Sequence, residues 1–303
     1  MFFASTTTLE GGVLQSSTAF SYNKSKRTAL VVEGGAMRAI FASGVLETFL
    51  EREFRPFDFA IGCSAGGCIL ASHLAGQRGR NLHCYTKFMT RPEFIDAKRF
   101  LRGGHWVDFD WLWEATERDC PIDRAQLAAN PAKLVVSTTS YATGKPVYLE
   151  PGGRVDLMQA LKSSCALPIL YRAPVHIGEL RLLDGGISAP IPVQEAYRRG
   201  ARRILVIRSR PAQFVKRASV VGRLSALAFR ASPALAHALK YAHHAYGAAV
   251  SFIASPPPDC EIIHVAPARA LATGRTTQDV RALERDYALG REAGVRAIQQ
   301  WAG

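Results

Sequence analysis

Short apolar runs alternate along the chain with longer stretches whose apolar residues recur at helical spacing. Thr28 to Val32 predicts a strand, Glu33-Gly34-Gly35 a glycine turn, and the residues from Ala36 to Leu46 a helix. The order repeats at once. Phe57 to Ile61 predicts a strand, Gly62-Cys63-Ser64-Ala65-Gly66-Gly67 a second small-residue turn, and Cys68 to Leu74 a helix running to about Ala75. Further strands are expected at Lys133 to Thr138, Pro146 to Leu149, Leu180 to Leu183, Ile204 to Ile207 and Ile262 to Val265. Helices are expected at Leu157 to Ser164, Val193 to Arg199 and Thr277 to Trp301. Between them, Val215, Val220, Leu224, Leu227, Leu235 and Leu239 suggest two alanine-rich helices interrupted near Pro233. Strand, glycine turn and helix in succession predict an α/β fold, a three-layer α/β/α sandwich with a mostly parallel central sheet.

The pattern divides the chain into four stretches. Residues 1–27 are rich in Ser and Thr and end in Lys24-Ser25-Lys26-Arg27, the composition of a leader or arm. Residues 28–210 carry the βα units and an aromatic, helical insertion at about 81–120, where Trp106, Trp111 and Trp113 fall close together. That insertion reads either as a cap whose aromatics form an acyl-chain pocket or as ordinary packing of a helical excursion. Residues 211–258 form a basic, alanine-rich helical region, and residues 259–303 a closing strand and helix.

Composition narrows the setting. The chain has 303 residues, 48% of them hydrophobic, enough for a large core. No apolar run approaches the roughly 18 residues of a membrane span. The N-terminal stretch lacks the basic start of a classical secretory signal, although export by another route stays open. Six scattered cysteines form no metal-ligand cluster, which suits free thiols in the cytoplasm. The net charge of +13 is uneven: from Ala196 to Pro258 there is no Asp or Glu, against eleven Lys and Arg. Such a field attracts phosphates. Nucleic acid is not the expected partner, because the tract is rich in Ala and Leu and lacks a recognition motif. Arg217, Arg223, Arg230 and Lys240 instead suggest a surface that meets anionic lipid, at the inner face of a membrane.

Chemistry concentrates at the turns. Ser64 stands in Gly-x-Ser-x-Gly between a strand and a helix, the pattern of a nucleophile elbow. A serine hydroxyl needs a base and donors for the developing oxyanion. Asp184, at the end of a later strand and followed by Gly185-Gly186, is the candidate base, and the amides of Gly34, Gly35 and Ala36 are candidate donors. No histidine is required if the carboxylate meets the hydroxyl directly. A Ser-Asp-His triad is the rival, because His237, His243, His244 and His264 follow Asp184 in sequence.

Gly34-Gly35-Ala36-Met37-Arg38, Gly62-Cys63-Ser64-Ala65-Gly66 and Asp184-Gly185-Gly186, in this order, resemble the three signatures of the patatin-like phospholipase family. Ala160 to Pro168 and Ile191-Pro192-Val193 fit as well, and the resemblance covers most of residues 28 to 210. It implies a patatin-like catalytic core and a lipid acyl hydrolase of phospholipase A or lysophospholipase type. Ser64 would be the nucleophile and Asp184 the base, with Gly34, Gly35 and Ala36 as the oxyanion loop. Arg38 would steady that loop or meet a substrate phosphate. The substrate would be a phospholipid or acylglycerol, and neither cofactor nor metal, calcium included, is implied. The chain departs from the family pattern at Ala36 and Ala39, where glycine is usual. A turn that needs positive φ at residue 36 would strain an alanine, and a decayed, lipid-binding or scaffolding module is the corresponding alternative.

Overall fold

The computed structural model describes residues 27–303 except Ile169, Leu170, Arg172 and Ser219, so the leader expected at 1–27 lies almost wholly outside the described residues. In chain order the elements are β1 (Arg27–Val32), α1 (Ile40–Glu51) behind a short 3-10 turn (Ala36–Ala39), β2 (Phe59–Cys63), α2 (Ala65–Leu74), α3 (Arg80–Lys87), α4 (Ala97–Leu101), α5 (Phe109–Asp119) and α6 (Arg124–Ala129). They continue with β3 (Lys133–Ser140), β4 (Pro146–Leu149), α7 (Leu157–Cys165), β5 (Val175–Ile177), β6 (Leu180–Asp184), α8 (Val193–Arg198) and β7 (Ala201–Ile207). The last are α9 (Val220–Ala228), α10 (Pro233–Lys240), α11 (Ala242–Ala254), β8 (Glu261–Val265) and α12 (Val280–Ala302).

The strands join in the order β5-β6-β3-β2-β1-β7-β8, with β4 paired to β3 off this path. From β3 through β2, β1 and β7 to β8 every pairing is parallel, whereas β4 and β6 run antiparallel to β3. Alternation along β1 builds the layers. Leu30 and Val32 face a core shared with α1, α2, α7 and α12, while Ala29 and Val31 face a second core with α8 and α11. The result is the expected α/β/α sandwich with a mostly parallel sheet.

Two differences from the sequence pattern have local causes. The two helices expected between Val215 and Leu239 are α9 and α10, broken before Pro233, and a third helix not expected from the pattern, α11, follows because the chain turns again at Tyr241. The short strand β5, not expected from the pattern, owes its existence to pairing with β6.

The closing helix α12 lies against α1 with almost no gap. A Cβ on Gly290 would come within 2.0 Å of the Phe41 carbonyl oxygen, so only glycine permits this approach. Along the same helix, Asp286 is buried and its carboxylate accepts the amides of Ala272 (3.3 Å) and Thr273 (2.7 Å). The seam therefore fixes the loop between β8 and α12. That loop reaches the carboxyl ends of the parallel strands, where the backbone amide of Met37 donates to the Arg275 carbonyl at 3.5 Å.

The insertion at 81–120 contains α3, α4 and α5 and forms its own apolar cluster, with Phe88, Phe94, Val107 and Leu112 buried. Phe109 stacks on Trp113 with ring centres 6.1 Å apart. Among the described residues no helix is long and apolar enough to cross a membrane.

Candidate active site

Ser64 links β2 to α2 at φ +52° and ψ −129°, a conformation uncommon for an L-residue. Such strain persists only where its surroundings enforce it. Here Gly66 does so, since a Cβ there would meet the Val32 carbonyl oxygen at 2.6 Å. Ser164 on α7 also contributes: its hydroxyl accepts the Ser64 amide at 2.7 Å and donates to the Ser137 carbonyl at 2.6 Å. The hydroxyl of Ser64 is thereby lifted above the sheet end.

β6 ends at Asp184, which sits opposite Thr138 of β3 in the antiparallel register. This pairing carries the carboxylate back across 120 residues of sequence, and Ser64 Oγ donates to Asp184 Oδ2 at 3.0 Å. The other carboxylate oxygen accepts the Gly186 amide at 2.6 Å. Thr139 Oγ1 donates to the Asp184 carbonyl at 2.9 Å, fixing the strand end. Burial pushes the Asp184 carboxyl up from 3.8 to about 6, although the Gly186 amide, the Ser64 hydroxyl, Arg275 and Lys216 all pull it down. Among the described residues no histidine hydrogen-bonds to Ser64 or Asp184. His243 lies in the cleft wall beside His244, and half-buried His264 is held down near 4 by desolvation and then by Arg208.

The glycine turn after β1 borders the same space. The amide of Gly34 donates to the Pro190 carbonyl at 3.3 Å, so it is engaged by the scaffold. The amides of Gly35 and Ala36 have no hydrogen-bond acceptor among the described residues. Ala36 adopts φ +49°, which means that the turn does need a left-handed residue at this position. Tyr85 of α3 donates its hydroxyl to the Ala36 carbonyl at 3.2 Å and so holds that peptide. Ala39 is fully buried with an ordinary helical φ of −67°, so its methyl group is accommodated.

Ser64 stands between two spaces of opposite character. Behind it a cavity of about 120 Å³ is lined by Cys68, Ile69, Tyr85, Met89, Leu112 and Trp113. The aromatic insertion thus packs and lines the cavity at once. In front lies a larger cleft of about 380 Å³, bordered by Glu33, Arg38, Arg210, Lys216 and Arg275. Arg38 is 6% exposed and its Nε finds no hydrogen-bond partner among the described residues. Burial, then Arg210 and Arg275, lower its guanidinium to about 10.

Sequence reasoning missed Lys216, Arg210 and Arg275 as site residues. The acid-free run pointed toward the first two. Nothing in the local pattern singled out Arg275, which reaches the site only because α12 is anchored on α1. Among the described residues, no group of His, Cys, Asp or Glu could hold a metal ion.

Residues 30–197 match a family model described as patatin-like phospholipase, and residues 232–303 match a domain of unknown function, DUF6363. Over 272 residues the chain is 34% identical to the uncharacterized protein YjjU of Escherichia coli (strain K12), covering 88% of this chain and 76% of that one. Among solved structures, VipD from Legionella pneumophila aligns with 91% of this chain and 67% of its own, at 12% identity and a TM-score of 0.46. Human GIVD cytosolic phospholipase A2, in complex with methyl gamma-linolenyl fluorophosphonate, aligns with 92% of this chain and 59% of its own, at 13% identity and a TM-score of 0.43.

Proposed function

Since this chain belongs to the patatin-like phospholipase family, we propose that it is a lipid acyl hydrolase in which Ser64 is the nucleophile and Asp184 alone its base. The observation that carries this reading is the direct hydrogen bond from a strained Ser64 Oγ to Asp184 Oδ2. In the first step Asp184 takes the hydroxyl proton as Ser64 Oγ attacks the ester carbonyl. The tetrahedral oxyanion faces the amides of Gly35 and Ala36, with Gly34 shaping the turn rather than donating. Collapse returns the proton to the leaving alkoxide and leaves an acyl-serine. A water deprotonated by Asp184 then hydrolyses that ester and frees the fatty acid. Each missing oxyanion donor in such sites costs roughly 3 kcal/mol of barrier, so two amides form a substantial device.

The apolar cavity suits one acyl chain, which supports phospholipase A or lysophospholipase chemistry on a phospholipid or acylglycerol. A direct Ser-Asp contact leaves the histidine triad without a supporting observation. The strained but intact turn at Ala36 keeps its amide, so decay to a binding module is also disfavoured. We treat residues 28–210 as the catalytic unit, with the helices of 211–258 and the strand and helix of 259–303 as additions that complete its entrance.

We further place the enzyme's work at an anionic, cytoplasmic membrane face. Val215, Val220, Leu224 and Leu227 are exposed apolar side chains in the segment that also exposes Arg217, Arg223 and Arg230. Apolar insertion beside basic charge is the usual route to peripheral binding. Flotation with vesicles should require anionic lipid and be lost in Leu224→Glu/Leu227→Glu; flotation indifferent to lipid charge removes this part. For catalysis, a fluorophosphonate probe should label the wild type and not Ser64→Ala, which should lose at least about 1,000-fold in ester hydrolysis. Undiminished hydrolysis by Ser64→Ala rejects the mechanism.

A further inference from the structure

Two groups of basic residues in this chain contrast. Those at the far end of the sheet are neutralised: Arg198 and Arg199 by Glu195 and Glu150, Arg202 by Asp259 and Arg203 by Glu261. Those bordering the cleft in front of Ser64 are not. Arg38, Arg210, Lys216 and Arg275 form no ion pair among the described residues, and Arg217 and Lys240 line the same cleft. Among the described residues, two carboxylates line the cleft with these six cations, and both are already occupied. Asp184 holds Ser64 and the Gly186 amide. Glu33 accepts the Ser209 amide at 2.5 Å and its hydroxyl at 3.2 Å.

Uncompensated positive charge in a recess is costly unless an anion completes it. The cost is visible here. Arg38 is nine-tenths buried, and its Nε has no hydrogen-bond partner among the described residues. Lys216 is lowered first by burial and then by Arg275, a like charge close enough to matter. Guanidinium groups also match the paired oxygens of a phosphate in a way that few other anions can exploit.

We infer that this cleft is a phosphate-binding subsite for the head group of the scissile lipid, and that Arg275 and Lys216 make the enzyme select a phosphomonoester over a zwitterionic or uncharged head. The inference rests on the proposed lipid hydrolysis and names its substrate class. A monoester brings two negative charges to a site with an excess of cations, whereas a choline or ethanolamine head would bring a further cation into it. An uncharged glycerol head would leave Arg38 unsatisfied. Of the unpaired cations only Arg38 lies inside residues 30–197, the span of the phospholipase model. Arg275 comes from the segment that matches the domain of unknown function. That unit is anchored through Asp286 and the Gly290 seam, so its contribution to this site is to deliver a head-group arginine.

The test compares lysophosphatidate, lysophosphatidylcholine and monoacylglycerol of one chain length in neutral detergent micelles, using the full chain. The expected kcat/KM for lysophosphatidate exceeds the other two by about tenfold or more, and Arg275→Ala and Lys216→Gln each shrink that ratio at least about fivefold. A second measurement is independent of catalysis: calorimetric binding of sn-glycerol 3-phosphate, and separately of inorganic phosphate, to Ser64→Ala. Binding of glycerol 3-phosphate that weakens when Arg275→Ala is added supports the subsite even if no lipid is hydrolysed, an outcome that would reject the proposed activity instead. Hydrolysis with equal preference for all three lipids, together with no glycerol 3-phosphate binding, overturns the subsite and leaves the activity standing. Equal binding of inorganic phosphate and glycerol 3-phosphate without lipid preference assigns the cleft to free phosphate and overturns it as well.

Discussion

Behind Ser64 the cavity wall is built from side chains such as Ile69, Met89 and Trp113, contributed by α2 and the aromatic insertion, whereas in front of it the cleft is rimmed by Arg38, Lys216 and Arg275. The first wall lies almost wholly within the segment that matches the phospholipase model, whereas the second is shared about equally between that segment and the rest of the chain, and of its cations only Arg38 lies inside. An acyl chain needs only apolar volume, which a helical insertion over a sheet end supplies. A head group needs fixed charge, which must be carried in from segments anchored elsewhere. On the proposed reading the two demands fall to different stretches of sequence, and Ser64 and Asp184 border both spaces.

Asp184 feels both regions at once, and its substitution should have the largest effect. The apolar side raises its carboxyl to about 6, while Arg275 and Lys216 on the basic side hold it below where burial alone would leave it. A base must be ionised, so kcat/KM should climb through about pH 6 and level off above it. Stability should move the opposite way. A carboxyl with a raised folded pKa contributes stability that is complete below its unfolded value of 3.8 and is lost as pH rises through about 6. Asp184→Asn should therefore lose at least about 1,000-fold in activity. By the linkage of pKa to stability, the same variant should unfold about 3 kcal/mol less readily than wild type near pH 8, with almost no difference near pH 3.5. Denaturation at the two pH values checks the second part; equal differences at both would show that the cavity does not desolvate the carboxylate. Arg275→Ala sharpens the comparison further, because it should shift the activity limb to higher pH.

How much of this was legible in the sequence follows from distance along the chain. The elbow, the glycine turn and Asp184-Gly185-Gly186 are each local, and each announces itself by residue type at the end of an apolar strand. The mostly parallel sheet follows from the strand-turn-helix order. Lys216 was visible only as part of a basic run, without its neighbours. Arg275 was not visible at all, since its place depends on Gly290 meeting Phe41 and on Asp286 holding the loop. Strand β5 escaped notice because its three residues acquire their conformation from β6 rather than from their own pattern. The engagement of Gly34 by Pro190 is likewise a long-range contact that no motif encodes.

The apolar region can be altered without touching the cations. Cys68 follows Ser64 by about one helical turn on α2 and lines the cavity, its Sγ 3.7 Å from that of Cys165. Cys68→Phe should block the inner end for long chains. Its kcat/KM for a palmitoyl ester relative to a butyryl ester should fall about 10- to 100-fold, the range that pocket volume commands. Overpacking should lower stability by about 1–3 kcal/mol. A p-nitrophenyl ester series measures the ratio, and an unchanged chain-length profile would place the acyl chain somewhere other than this cavity.

The smallest effect is expected where the two spaces touch, at Ala36, which borders both. An alanine at φ +49° carries a steric cost of roughly 1 kcal/mol that glycine does not. Ala36→Gly should therefore raise stability by about 0.5–1 kcal/mol, the relief of strain being partly offset by the freer unfolded chain. Activity should change by less than about fivefold, because the direction of the amide is set by the turn and by the Tyr85 hydroxyl on the Ala36 carbonyl rather than by the methyl group. A Tyr85→Phe partner variant separates the two influences: it keeps the cavity wall apolar and removes only that hydrogen bond. If Ala36→Gly instead raised kcat by orders of magnitude, the methyl would have been holding the amide away from the oxyanion. The boundary between the two regions would then be a damaged donor rather than a strained but working one.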